Sequence, residues 1–179
     1  MIILVDMDDV LADFDGEFYR RWKVLHPEKE ITPPEKRKNF YIKDESPEEY
    51  RQFISEINTT QGFIKSLPVI PGSLEGIRDI ANSGYNVFIC TSPLDAYHNC
   101  VKEKYEWIEE KLGIEWTKKL ILTKDKTLIY GNILIDDKPE IKGSADPQWE
   151  HIVFDKSYNR RTNHARRMTW KNYKEVLNL

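Results

Sequence analysis

A chain of 179 residues, 40% hydrophobic and 32% charged, is long enough for a substantial core and has the composition of an ordinary folded domain. Its formal net charge of −3 gives no whole-chain signal for a nucleic-acid polymer or for a membrane surface. The apolar stretch at its start is short, lacks a preceding basic region and ends in acids, which excludes a signal peptide or a membrane span as its reading.

Met1 to Val5 is apolar and rich in β-branched residues, the pattern of a buried strand in a parallel sheet. Asp6, Asp8 and Asp9 follow within four positions, and such charges are tolerable only at the strand's very end. Phe14, Phe18, Tyr19, Trp22 and Leu25 have helical spacing, and His26-Pro27 stops that helix. Asp13 and Asp15 read as exposed or helix-start acids, and Trp22 and Phe63 as core. Residues 27–47 are polar and proline-containing apart from the patch Asn39-Phe40-Tyr41-Ile42. Ser46-Pro47-Glu48-Glu49 predicts a second helix start, with Ser46 as cap.

From Leu67 the pattern becomes a regular α/β alternation. A helix from Ser73 to Gly84 precedes a strand at Asn86–Thr91, and a helix across Val101–Leu112 closes at Gly113. Short strands follow at 120–123, 133–137 and 151–155, and Met168 to Leu179 predicts a final helix. Cys90 is expected to be a buried thiol and Cys100 a semi-exposed one, with no disulfide and hence a cytoplasmic location. Arg160, Arg161, Arg166 and Arg167 read as a solvated loop. The predicted fold is α/β: a Rossmann-like parallel sheet with helices on both faces, formed by 1–13 and 67–179, with a small helical cap of residues 14–66 inserted after the first strand.

Three predicted strands end in polar groups: Asp6 and Asp8, then Thr91-Ser92, then Asp136-Asp137. All would lie on the carboxyl edge of one sheet, where ligands of open α/β sheets bind. Acids without histidine or cysteine partners favour Mg²⁺ over zinc.

This order of motifs (DxD, then Thr or Ser, then Lys, then Asp-Asp) resembles that of haloacid dehalogenase-like phosphatases. The longer strings Val5-Asp6-Met7-Asp8, Phe88-Ile89-Cys90-Thr91-Ser92-Pro93, Glu103-Lys104-Tyr105, Asp125-Lys126-Thr127, Leu134-Ile135-Asp136-Asp137-Lys138 and Trp149-Glu150-His151 resemble the 5′(3′)-deoxyribonucleotidase family. The resemblance runs almost end to end and is weakest at 27–66. It implies Mg²⁺-dependent hydrolysis of (deoxy)ribonucleoside monophosphates through an aspartyl phosphate. Asp6 would be the nucleophile and Asp8 the proton shuttle. Asp6, the backbone carbonyl of Asp8, and Asp137 would hold Mg²⁺, with Asp136 supporting from behind. Thr91, Ser92 and Lys126 would bind phosphate; Lys104 is a second candidate and Lys124 a weaker one. Phe14 and Phe40 would line the base pocket. The substrate would be a small molecule, with no polymer or membrane partner, and relatives are often homodimers. The same chemistry on a sugar phosphate or a nucleic-acid 3′-phosphate, or phosphate binding without turnover, are the alternatives. Two departures stand out: Asp9 occupies a position usually held by Gly, requiring a left-handed or modified turn, and Asn58 falls near a position where relatives place an aromatic.

Overall fold

The computed structural model describes residues 1–164 and 166–179. Strand β1 (Ile2–Val5) forms where the apolar run predicts it, with Ile3, Leu4 and Val5 wholly buried. It is followed by α1 (Phe14–Leu25), α2 (Arg51–Thr59), α3 (Ser73–Asn82), β2 (Asn86–Thr91), α4 (Tyr97–Leu112), the single turn α5 (Ile114–Thr117), β3 (Leu120–Leu122), β4 (Ile133–Asp136), β5 (Glu150–Phe154), β6 (Arg167–Met168) and α6 (Tyr173–Leu177). The six strands are parallel in the order β3-β2-β1-β4-β5-β6. The chain therefore builds outward from β1 on one side, then crosses to the other at β4. That reversal puts the ligand crevice of a doubly wound sheet at the carboxyl ends of β1 and β4.

Alternate side chains of the central strands serve different cores. Ile3, Val5 and Ile135 enter a large cluster with Phe18 and Trp22 of α1, Ile77 and Ile80 of α3, and Trp107 and Ile108 of α4. Leu4, Cys90 and Leu134 point the other way, into a smaller cluster closed by Trp149 and the loop residues Ile129 and Ile141. Trp22 and Phe63 are fully buried, as core residues should be. Gly16 is dictated by close approach: a Cβ there would lie 2.1 Å from the Asp13 carboxylate that caps α1.

Four local expectations change. The final helix is shorter than Met168–Leu179: Met168 pairs with Phe154 as strand β6, and the helix proper is Tyr173–Leu177. Ser46 caps nothing; its hydroxyl donates back to the Ile42 carbonyl (2.8 Å), and a 3₁₀ turn at Glu48–Tyr50 leads into α2. Cys100 is buried, because α4 starts earlier than its apolar pattern does and turns that thiol inward. Among the loop arginines, Arg160 and Arg161 are exposed, but Arg167 bonds to Asn159 Oδ1 (2.9 Å) and the Thr162 carbonyl (2.8 Å) and so ties the loop to the sheet.

Candidate active site

Asp6 is the first residue beyond β1, and its backbone N–H donates to the Ile135 carbonyl (2.9 Å), which locks it beside the end of β4. Asp136 ends β4 and Asp137 follows. Carboxylate oxygens of Asp6, Asp136 and Asp137 all fall within 4.8 Å of one another, and all three residues are buried. Such a cluster is strongly self-repelling. Burial together with the neighbouring Lys126 and Asp6 charges leaves Asp136 at about 6, and burial with Asp136 and Asp9 pushes Asp137 well above the usual carboxylate range.

Lys126 lies on a 3₁₀ turn (Lys126–Leu128) whose start is capped by Asp125. Its ammonium stands 2.5 Å from Asp136 Oδ2 and 2.8 Å from Asp6 Oδ1. Burial opposes its charge, but the two carboxylates more than offset that and raise its pKa. Asp136 is saturated, since its other oxygen accepts from the Lys138 amide (2.9 Å). Asp6 Oδ1 is buried and receives no well-aligned hydrogen bond among the described residues; its Lys126 contact is an ion pair only.

Asp8 sits one side-chain repeat beyond Asp6. Its Oδ2 accepts from Lys104 Nζ (2.7 Å), and the same ammonium donates to Thr91 Oγ1 (3.0 Å) at the end of β2. Burial raises the Asp8 pKa and Lys104 pulls it part of the way back. Lys104 is fully buried on the core stripe of α4, and its ammonium is held between Asp8 and Thr91.

Above these groups opens a cavity of about 560 Å³. Phe14, Phe40 and Tyr41 contribute aromatic wall, Ser92 lies at the floor, and Ser55, Asn58 and Thr59 face it from α2. Lys124 is at the rim, bound to Asp95 (2.6 Å) and to the Pro93 carbonyl (2.7 Å). The cavity exceeds what one nucleotide needs and falls within the range of small-molecule sites.

Asp9 adopts the left-handed conformation, φ +57°, that its position demands. Its Oδ1 accepts from the Asp15 amide (3.2 Å) and from Lys156 Nζ (3.0 Å). Asp15 is helix-start but not exposed: it is buried against Arg37. The residues sequence reasoning missed are those that support the acids from behind. Tyr158 donates its hydroxyl to Asp137 Oδ2, and Asn159, wholly buried, donates to the Asp137 carbonyl (2.7 Å). Both sit in a short 3₁₀ turn at Ser157–Asn159 after β5, with no periodicity to mark them.

The sheet order, with buried carboxylates at its switch point, defines the class of fold: a doubly wound α/β domain of haloacid dehalogenase-like architecture. The fold matches that of a HAD family hydrolase from Deinococcus radiodurans R1, solved with bound phosphate and sodium, at a TM-score of 0.63 and 13% identity over 98% of this chain and 94% of that one. A family model described as "5′ nucleotidase, deoxy (Pyrimidine), cytosolic type C protein" matches residues 1–179. A Bordetella pertussis relative provisionally named a 5′(3′)-deoxyribonucleotidase is 46% identical over 99% of this chain and 95% of its own length. The cytosolic-type 5′(3′)-deoxyribonucleotidase of Homo sapiens is 39% identical over 98% and 92%. The chain belongs to the 5′(3′)-deoxyribonucleotidase family, and it is a phosphatase. Among the described residues no helix is long and apolar enough to cross a membrane.

Proposed function

We propose that this protein hydrolyses deoxyribonucleoside monophosphates through a phosphorylated Asp6, with Mg²⁺ as cofactor. The observation that carries the reading is Asp6: a buried carboxylate lining a cavity with an aromatic wall, whose Oδ1 stands beside a lysine without a well-aligned hydrogen bond. Asp6 attacks phosphorus while the bond to the nucleoside oxygen breaks, and Asp8 gives that oxygen its proton. Water then attacks the aspartyl phosphate, Asp8 takes the water's proton, and phosphate leaves. Burial raises the Asp8 pKa, which favours its protonated form and suits it to the proton-giving role.

Thr91, the Ser92 amide and Lys126 are the donors for the phosphate oxygens, since phosphoryl transfer depends mainly on positioning and charge. The all-oxygen donor set of Asp6 and Asp137, with Asp136 held behind by Lys126 and Lys138, fits a hard divalent cation. Such an ion supplies Lewis-acid charge to the phosphate. Lys104 engages Asp8 Oδ2, and Asp8 Oδ1 is buried without a hydrogen bond among the described residues; in this reading the backbone carbonyl of Asp8 would complete the metal's oxygen set. Phe14 and Phe40 give the base a stacking surface, roughly 1–3 kcal/mol per base, and this wall favours a nucleotide over a sugar phosphate. In this reading the segment 14–66 is the cap that carries the base pocket.

The test is a panel of dUMP, dTMP, UMP, 3′-nucleotides and sugar phosphates, with Asp6→Asn as control. Nucleotides should be preferred, and the variant should fold and show no turnover. Residual Mg²⁺-dependent turnover by Asp6→Asn defeats the covalent route; a clear preference for sugar phosphates defeats the substrate assignment.

A further inference from the structure

The chemistry above leaves one buried cation unused. Arg37 lies in the segment between α1 and α2, is 4% exposed, and reaches four different groups. Its Nη1 pairs with the Asp15 carboxylate at the start of α1, and its Nη2 donates to the carbonyls of Asn39 (2.8 Å) and Phe40. Its guanidinium carbon lies 4.8 Å from the centre of the Tyr158 ring. Tyr158 in turn donates to Asp137 and meets the Phe40 ring edge-on, with centroids 5.7 Å apart and planes at 82°. One side chain thus joins the aromatic wall of the cavity, the first turn of α1, and the residue behind a metal carboxylate.

We propose that Arg37 is a positioning residue that fixes the Phe40–Tyr41 wall in register with Asp137, so that base stacking and phosphate binding occur in one geometry. This rests on the nucleotidase reading. The argument is one of fork geometry. A planar guanidinium can pair with a carboxylate, bond two carbonyls and lie over a ring at once. A lysine in the same place keeps the charge for Asp15 and loses the rest. From outside its own segment the loop 38–41 is otherwise met by ring contacts: the Lys138 ammonium lies 5.6 Å from the Phe40 centroid and 5.8 Å from that of Tyr41. Glu45 accepts from the amides of Lys38 and Asn39, but it belongs to the same segment and ties the loop only to itself. The contact between Phe40 and Tyr158 is apolar and easily displaced. Without the Arg37 fork, the Phe40 backbone loses its hydrogen-bonded anchor to Asp15 and Tyr158, and only the ring contacts with Tyr158 and Lys138 hold the wall.

The experiment compares wild type with Arg37→Lys on dTMP and on deoxyribose 5-phosphate, which carries the phosphate and no base. Stacking on one ring spans about fivefold to 150-fold in affinity. The expected result is a KM for dTMP raised at least fivefold, with kcat little changed and the dTMP to deoxyribose 5-phosphate ratio of kcat/KM lowered by the same factor. A ratio that moves less than this, whether both activities hold or both fall together, overturns the proposal. If Arg37→Lys does not fold, Asp15→Asn removes the ion-pair partner and must lower the same ratio. Wild type that shows no preference for dTMP defeats the nucleotidase reading itself. In that event backbone hydrogen exchange at residues 38–41 still decides the matter: it must speed up in Arg37→Lys, and unchanged protection overturns the assignment.

Discussion

Asp9→Gly is the substitution whose outcome most directly tests how this loop is held. Glycine relieves the left-handed backbone at φ +57°, a gain of about 1 kcal/mol. Against it stand two losses. The Asp15 amide, buried at the start of α1, loses its acceptor, which costs about 1–3 kcal/mol. Lys156 loses its ion partner; its side chain is 20% exposed, so the cost falls well short of a fully buried pair, at roughly 1–2 kcal/mol. The losses outweigh the gain by about 2 kcal/mol, which for this chain length corresponds to a Tm lowered by roughly 4–8 °C. Thermal unfolding of wild type, Asp9→Gly, Asp9→Asn and the double variant with Lys156→Met measures this. Asp9→Asn keeps an acceptor for the amide and should fall between the other two, and Lys156→Met should recover part of the loss. An Asp9→Gly protein as stable as wild type would show that backbone strain, and not the Lys156 pair, governs this turn.

Lys104→Met removes the cation that pairs with Asp8, whose pKa burial already raises. A carboxyl with a higher pKa keeps its proton to higher pH, so the step needing ionised Asp8 begins only at more alkaline pH. The acid limb of the pH–rate profile should move upward; a limb that stays in place removes Lys104 from the mechanism. Tyr158→Phe leaves both rings in contact but strips the hydrogen bond from Asp137, and losing the partner that orients a metal-binding carboxylate weakens metal binding about 10–100-fold. The half-saturating Mg²⁺ concentration for activity reports it directly, and an unchanged value refutes the support role. Chelation should abolish turnover. Restoring Mg²⁺ at about 100 times its dissociation constant should stabilise the fold by about 2.7 kcal/mol; activity that survives exhaustive chelation contradicts the metal assignment.

The groups legible in the sequence share one property: each ends an apolar run. Asp6, Thr91 and Asp136-Asp137 are contiguous with the strands that place them, so an apolar run followed by a polar terminus was sufficient. Arg37, Lys156, Tyr158 and Asn159 stand in loops, and their partners lie 22, 147, 21 and 22 positions away, beyond any periodic signal. Lys104 is instructive because its signal was present. Cys100, Lys104, Trp107 and Ile108 share the buried stripe of α4, and a lone lysine on such a stripe must find a buried anion. The Glu103 carboxylate beside it shows the same logic, accepting from the amides of Gly62 (2.6 Å), Ile64 (3.0 Å) and Lys65 (3.2 Å).

The charges around the cavity floor explain why the acids cluster at all. Apart from exposed Asp95, the carboxylates lining the cavity are Asp6, Asp8, Asp9, Asp15, Asp136 and Asp137. Lys104 pairs with Asp8, Lys156 with Asp9, Arg37 with Asp15, and Lys126 is shared between Asp6 and Asp136. These ion pairs share four cations among five of the six carboxylates, and the geometry says which acids are left short of positive charge. Asp137 has no ion-pair partner among the described residues, only the Tyr158 hydroxyl, and Asp6 has half a lysine and an oxygen without a hydrogen bond. An uncompensated buried carboxylate must take up a proton or a cation, and the raised Asp137 pKa expresses that demand. Two adjacent carboxylates short of positive charge, with oxygens within 4.8 Å of one another, suit one divalent ion. Asp9 needs no share of it: Lys156 neutralises the extra charge within its own turn, which is how a position usually held by Gly accommodates an acid without changing the charge of the site.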